Sequence, residues 1–232
     1  MRKVFDIVFL LILGFHLYAG EQQMQFFADF SKPFIVGSLL IFVIARGRRF
    51  LNSGFLRLII FGLFFSLIGD IALVYQKVDS IYFTLGLSAF LVAHVLYTIA
   101  FTKTYLRNHE IALIKRHGWV LVLIAAYGFL FFRSIQDYLG EMIGPVMLYT
   151  LVISLMLLMA ANRYKRVGAK SWRYIFFGAL LFVTSDSLLA WNKFVEDISY
   201  AHFLIMSTYA MAQYLIAMGA LAQIRDQATL HR

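Results

Sequence analysis

Eight runs of apolar residues follow one another along the chain, at about 4–20, 31–45, 55–75, 80–102, 118–133, 142–162, 172–191 and 199–223. Most are long enough to cross about 30 Å of hydrocarbon, the second and fifth being short, and no other feature restricts the fold as much. A bilayer offers the backbone no water, so each run must satisfy its own N–H and C=O groups as a helix. Composition agrees: 62% of the 232 residues are hydrophobic and 14% charged, more apolar surface than a soluble domain can hide. The expected fold is an all-α integral membrane protein, eight transmembrane helices forming one domain over 1–232. The first run is expected to stay as a helix and not to be cut as a leader. Asp6 interrupts its apolar stretch, and Leu17 stands where a cut at Ala19 would want a small residue.

A net charge of +9 could suggest a nucleic-acid partner, but the positions of the charges argue otherwise. Seventeen of the 21 lysines and arginines fall at the termini or in alternate connections. Arg46, Arg48 and Arg49 follow the second run, Lys103, Arg107, Lys115 and Arg116 the fourth, and Arg163, Lys165, Arg166, Lys170 and Arg173 the sixth. The opposite side holds only Lys32, Lys77, Arg133 and Lys193. The positive-inside rule then places both termini in the cytoplasm, at the inner membrane if the host is bacterial. The basic excess is topological, and no nucleic acid is expected. The absence of cysteine removes disulfides, thiolate metal sites and a thiol nucleophile.

The third run reads "FGLFFSLIGDIALVYQK", residues 61–77. Shifted by 116 residues, half the chain, it overlies "FGALLFVTSDSLLAWNK", residues 177–193. Phe61, Gly62, Asp70, Leu73 and Lys77 fall on Phe177, Gly178, Asp186, Leu189 and Lys193, and Gln76 falls on Asn192. Two parallel four-helix repeats, about 1–112 and 113–232, are the expectation. Asp70 and Asp186 then lie at equal depth, about five residues inside the outer ends of their helices.

An ionised carboxylate inside a helix bundle costs about 2.5–3.5 kcal/mol at mid-membrane. Two at matched positions call for a reason. Held close together they resist ionising at once, so the pair is expected to share one proton and titrate as a unit. Such a pair supplies an acid and a base. A single intramembrane aspartate often does no more than hydrogen-bond a neighbouring helix; the matched pair makes that reading weaker. Ser66 stands one turn before Asp70 on the same face, as a hydrogen-bond partner or as a packing serine. His94 and Gln213 occupy related places, expected 10–15 Å deeper. Lys32 and Pro33 read as the outer start of the second helix, where Lys32 and helix N-termini favour a phosphate, or where the lysine merely snorkels. The six histidines show no metal-ligand spacing, so neither a metal nor another cofactor is expected.

"SKPF", "FSLIGDIAL", "YFTLGLSAFLVAHVLY", "LLFVTSDSLLAWNKF" and "YAMAQYLIAMG", in this order over nearly the whole chain, resemble the YhhN-like lysoplasmalogenases. The resemblance implies a membrane hydrolase that cleaves the vinyl-ether bond of lysoplasmalogens. The products would be a fatty aldehyde and glycerophosphoethanolamine or glycerophosphocholine. It implies that Asp70 and Asp186 are catalytic. The family's motif lysine, histidine and glutamine fall on Lys32, His94 and Gln213; with Ser66, Asn192 and Tyr209 they form the expected substrate-binding set. The implied partners are a lysophospholipid substrate and membrane lipids. Two other classes use intramembrane carboxylates. One is a proton-coupled transporter or lipid translocator. The other is an aspartyl protease, disfavoured because "SLIG" before Asp70 lacks the earlier glycine of that motif.

Overall fold

The computed structural model describes residues 2–105, 111 and 113–230. Arg107, His109, His231 and Arg232, which enter the charge and histidine patterns above, lie outside the described residues. Among the described residues eight helices are long and apolar enough to span a membrane: α1 (Arg2–Glu21), α2 (Gln25–Gly47), α3 (Gly54–Val74), α4 (Ile81–Tyr105), α5 (Trp119–Ile135), α6 (Ile143–Ala161), α7 (Ala169–Phe194) and α8 (Ala201–Leu230). The chain is an integral, multi-pass membrane protein.

Of the boundaries that differ from the sequence expectation, two bear on the site. The second helix starts at Gln25, so Pro33 lies about two turns inside α2 and not at its first position. Proline has no N–H to give the Asp29 carbonyl, yet the helix continues outward through Phe26, Phe27 and Phe30, whose rings are exposed on its outer face. Lys32 is thereby carried into the bundle wall instead of sitting at the rim. The seventh helix runs on to Phe194, a turn beyond its expected end.

Packing is closest between α3 and α4 and between α7 and α8. Lipid is as apolar as leucine, so the interfaces depend on backbones approaching over small residues. Gly62 and Gly69 on α3 lie against the rings of Tyr97 and Phe90, and Gly86 on α4 lies against Leu73. Gly178 on α7 meets Ile216 and the Ala212 carbonyl, and Gly219 on α8 meets Ile175. Around these two hairpins α2 packs on α3 and α8, and α6 packs on α7 and α4. The outermost helices are treated differently. α1 packs on both α2 and α8, whereas α5 leans on α6 and touches α7 lightly.

At the end of the bundle remote from the aspartates, the α6–α7 connection buries Arg163 completely. Its guanidinium lies between the rings of Phe55 and Phe101, 5.4 Å from each centroid. It donates to Ser171 Oγ at 2.9 Å and to Gln223 Oε1. One side chain thus ties together α3, α4, α7 and α8.

Candidate active site

Asp70 projects from α3 and Asp186 from α7, each about two turns from the end of its helix when the closing turn Tyr75–Lys77 is counted with α3. The site is therefore somewhat deeper than five residues, because both helices extend past their expected ends. Asp70 is buried, 1% exposed, while the Asp186 side chain is 14% exposed. Each carboxylate has one oxygen held by a phenol from a facing helix. The Tyr209 hydroxyl on α8 donates to Asp70 Oδ2 at 2.8 Å, and the Tyr149 hydroxyl on α6 makes a short bond to Asp186 Oδ2.

A second layer stands behind these phenols. Gln213 Nε2 donates to the Tyr209 oxygen at 3.4 Å, and the Tyr97 hydroxyl donates to Gln213 Oε1 at 2.9 Å. A chain of hydrogen bonds thus runs from Tyr97 on α4 through α8 to Asp70 on α3. On the other side, His94 Nε2 lies 3.7 Å from Asp186 Oδ2, its ring edge-on to Tyr149 and Phe182. His94 is therefore next to Asp186, and Gln213 stands one hydrogen bond behind Asp70, through Tyr209, where 10–15 Å of extra depth was expected for both. Side chains of this length on a helix lean toward its N-terminus, and α4 and α8 start at the end of the bundle nearer the aspartates, so the lean brings both residues toward the acids.

Both aspartates line one small cavity, whose wall also includes Lys32, Phe90, Ser185, Met206 and Tyr209. Lys32 shares this wall with Asp70. A second cavity lies between α4, α5, α6 and α7. Its wall is mainly apolar, and it shares Asp186 and Leu189 with the first. Asp186 thus stands where the cavity that holds Lys32 and Asp70 meets a second one lined almost wholly by apolar side chains.

Of the residues singled out in the sequence, Asp70, Asp186, Lys32, His94, Tyr209 and Gln213 come together here. Ser66 is fully buried beside the Tyr97 hydroxyl and does not line the cavity. Asn192 does not line it either. Its amide oxygen accepts from the Ile198 backbone N–H at 2.8 Å and shapes the α7–α8 turn. The sequence reading passed over Tyr149 and Tyr97. The available signal was chemical, since a phenol within a hydrocarbon helix needs a partner for its hydroxyl. Among the described residues no group of three His, Asp or Glu side chains could hold a metal. What the arrangement offers is an acid and a base facing one small space, able to give a proton to a substrate atom and take one from water.

The YhhN family model matches residues 27–220. The chain is 32% identical over 207 residues to human lysoplasmalogenase TMEM86B, covering 89% of this chain and 81% of that protein. It is 36% identical over 214 residues to bovine lysoplasmalogenase TMEM86A, covering 89% and 83%, and 35% identical over 212 residues to the human TMEM86A enzyme, with the same coverage. No solved structure matches it.

Proposed function

Because the chain belongs to the YhhN family, we propose that it is a hydrolase of the lysoplasmalogen vinyl ether, releasing a fatty aldehyde and a glycerophospho-alcohol. The observation that carries this reading is the position of Asp186, on the wall shared by the cavity that also holds Asp70 and Lys32 and by a larger apolar one. In a single-chain ether lipid the bond to be broken also lies at the junction of polar and hydrocarbon parts.

The chemistry asks little beyond what these side chains provide. One aspartic acid gives its proton to the β-carbon of the vinyl ether, and the electron pair of the double bond takes it up. The positive charge left on the α-carbon and ether oxygen is stabilised by the ionised partner, as paired carboxylates serve the similar cation of glycosidases. That carboxylate takes a proton from the water that adds to the α-carbon. The resulting hemiacetal collapses as its hydroxyl proton passes to the glyceryl oxygen, giving aldehyde and alcohol. The proton then returns across the cavity, and the pair is as it began. Tyr149 and Tyr209 keep each carboxylate aimed at the cavity, and Lys32 is the group suited to the substrate phosphate. Both termini are cytoplasmic in this reading, which places the site in the outer half of the membrane.

The test is aldehyde release by purified protein from lysoplasmalogen in micelles. General acid–base catalysis supplies about 10²–10⁴-fold, so Asp70→Asn and Asp186→Asn are each expected to lose that much. Full activity in either variant removes that residue from the chemistry. The saturated ether analogue, which has no double bond to protonate, is expected to be inert; equal turnover of the two lipids overturns the mechanism. A transporter would move lipid without releasing aldehyde, and it would call for broken helices at the site. α3 and α7 run unbroken through their aspartates.

A further inference from the structure

We propose that the apolar cavity between α4, α5, α6 and α7 is the subsite for the substrate's hydrocarbon chain, reached sideways from the bilayer between α5 and α7, where the Tyr127–Ser187 hydrogen bond closes the mouth. The proposal rests on the reading of the chain as a vinyl-ether lipid hydrolase and adds to it a place for the chain and a route to that place.

The lining decides what the cavity suits. Phe83, Leu87, Val146, Ile153 and Val183 form its walls, and Asp186 is the carboxylate at the side shared with the cavity of Lys32 and Asp70. A hydrocarbon chain moving from lipid into such a space leaves one apolar medium for another, so burial alone contributes little. Selection must come from the shape of the cavity and from the carboxylate at its inner side. A single-chain lipid lying with its headgroup by Lys32 and its tail against Ile153 brings its ether carbons to Asp186.

The surroundings decide the route. At the outer ends of α5, α6 and α7 a separate apolar cluster, Ile135, Leu139 and Val146 with Trp191 and Phe194 packed against them, caps the cavity toward the aqueous side. On the opposite flank α4 and α7 pack on α6. The remaining side is α5, which is little buried and rests on α6 through Gly128, where Ser154 leaves no room for a Cβ. Against α7 its hydroxyl contact is Tyr127 to Ser187, 2.7 Å apart. Tyr127 is 43% exposed, and a lipid-facing groove of about 680 Å³ lined by Thr184, Leu188 and Trp191 adjoins the same two residues from outside. The bridge therefore separates a surface groove from an internal cavity, both lined by Tyr127, Phe131 and Ser187. Breaking one hydrogen bond and tilting the most loosely held helix joins them.

The experiment compares lysoplasmalogens with long and short alkenyl chains in the aldehyde assay. Ile153→Trp fills the cavity away from the carboxylates and is expected to lower kcat/KM for the long chain at least tenfold more than for the short one. Ile153→Ala, which enlarges the space, is expected to move the long-to-short ratio the other way. Ratios unchanged in both variants overturn the subsite. For the route, the cysteine-free chain allows Tyr127→Cys and Ser187→Cys to be combined and joined by a short thiol cross-linker. Cross-linking is expected to abolish long-chain turnover relative to the same protein before treatment; undiminished turnover overturns the lateral mouth. If the wild-type protein releases no aldehyde from any chain length, the hydrolase reading itself fails, an outcome distinct from unchanged ratios in an active enzyme.

Discussion

Tyr209 and Tyr149 each fix one oxygen of a carboxylate, leaving the other oxygen for the cavity. A hydrogen bond to a charged group is worth about 1.5–3 kcal/mol, so Tyr209→Phe is expected to lower kcat about 10- to 100-fold. Tyr97→Phe is expected to cost less, because Tyr97 reaches Asp70 only through Gln213 and Tyr209. Equal losses in the two variants would argue against the direct bond as the important one. Lys32→Met is expected to raise KM for lysoplasmalogen at least tenfold, with part of the loss restored by Lys32→Arg; an unchanged KM removes the phosphate role. Asp70 and Asp186 were legible in the sequence because a carboxylate in an apolar helix is costly and therefore conspicuous. Tyr149 and Tyr97 were not, since a phenol is equally at home in a core, in a site or at a membrane boundary. Asn192 misled for a related reason. A polar residue that closes a turn and one that touches substrate look alike until the chain is folded.

At the scale of the helices, the glycines decide how near the two central hairpins approach. A Cβ at Gly178 would stand 2.9 Å from Ile216 Cγ1 and 3.0 Å from the Ala212 carbonyl oxygen, and the carbonyl belongs to the helix backbone, which cannot swing aside. Gly178→Ala is thus expected to destabilise the protein by about 1–3 kcal/mol, seen as a lower Tm in detergent. Gly14→Ala, at a position with open space around it, is expected to leave Tm unchanged or raise it slightly, because alanine favours helix. Equal shifts would mean that close approach of α7 and α8 is unimportant. The spans themselves could be read directly from length and apolarity, since the bilayer forbids other backbone solutions. The start of α2 could not. Proline usually marks the first turn, and the eight helical residues before Pro33 include Gln25, Asp29 and Lys32, which disguise them as a loop. That shift placed Lys32 inside the bundle instead of at its rim.

For the whole molecule, the alternation of basic connections predicts a direction that labelling can check. With no native cysteine, Asp137→Cys is expected to react with an impermeant thiol reagent added outside intact cells, and Lys165→Cys only after permeabilisation. Both side chains are exposed. The reverse pattern would turn the site toward the cytoplasm. The two halves of the chain also share the site: Asp70 is held by Tyr209, and Asp186 is approached by His94. The placement of Asp186 at the meeting of two unlike cavities has a practical consequence. In the proposed reaction a positive charge forms there, at the head of an alkyl tail, so a stable amphiphile with an amine at that point is expected to imitate the fleeting cation and compete for both acids. Cationic surfactants such as long-chain alkylamines are then inhibitors by construction, and extraction of the protein calls for neutral, bulky-headed ones.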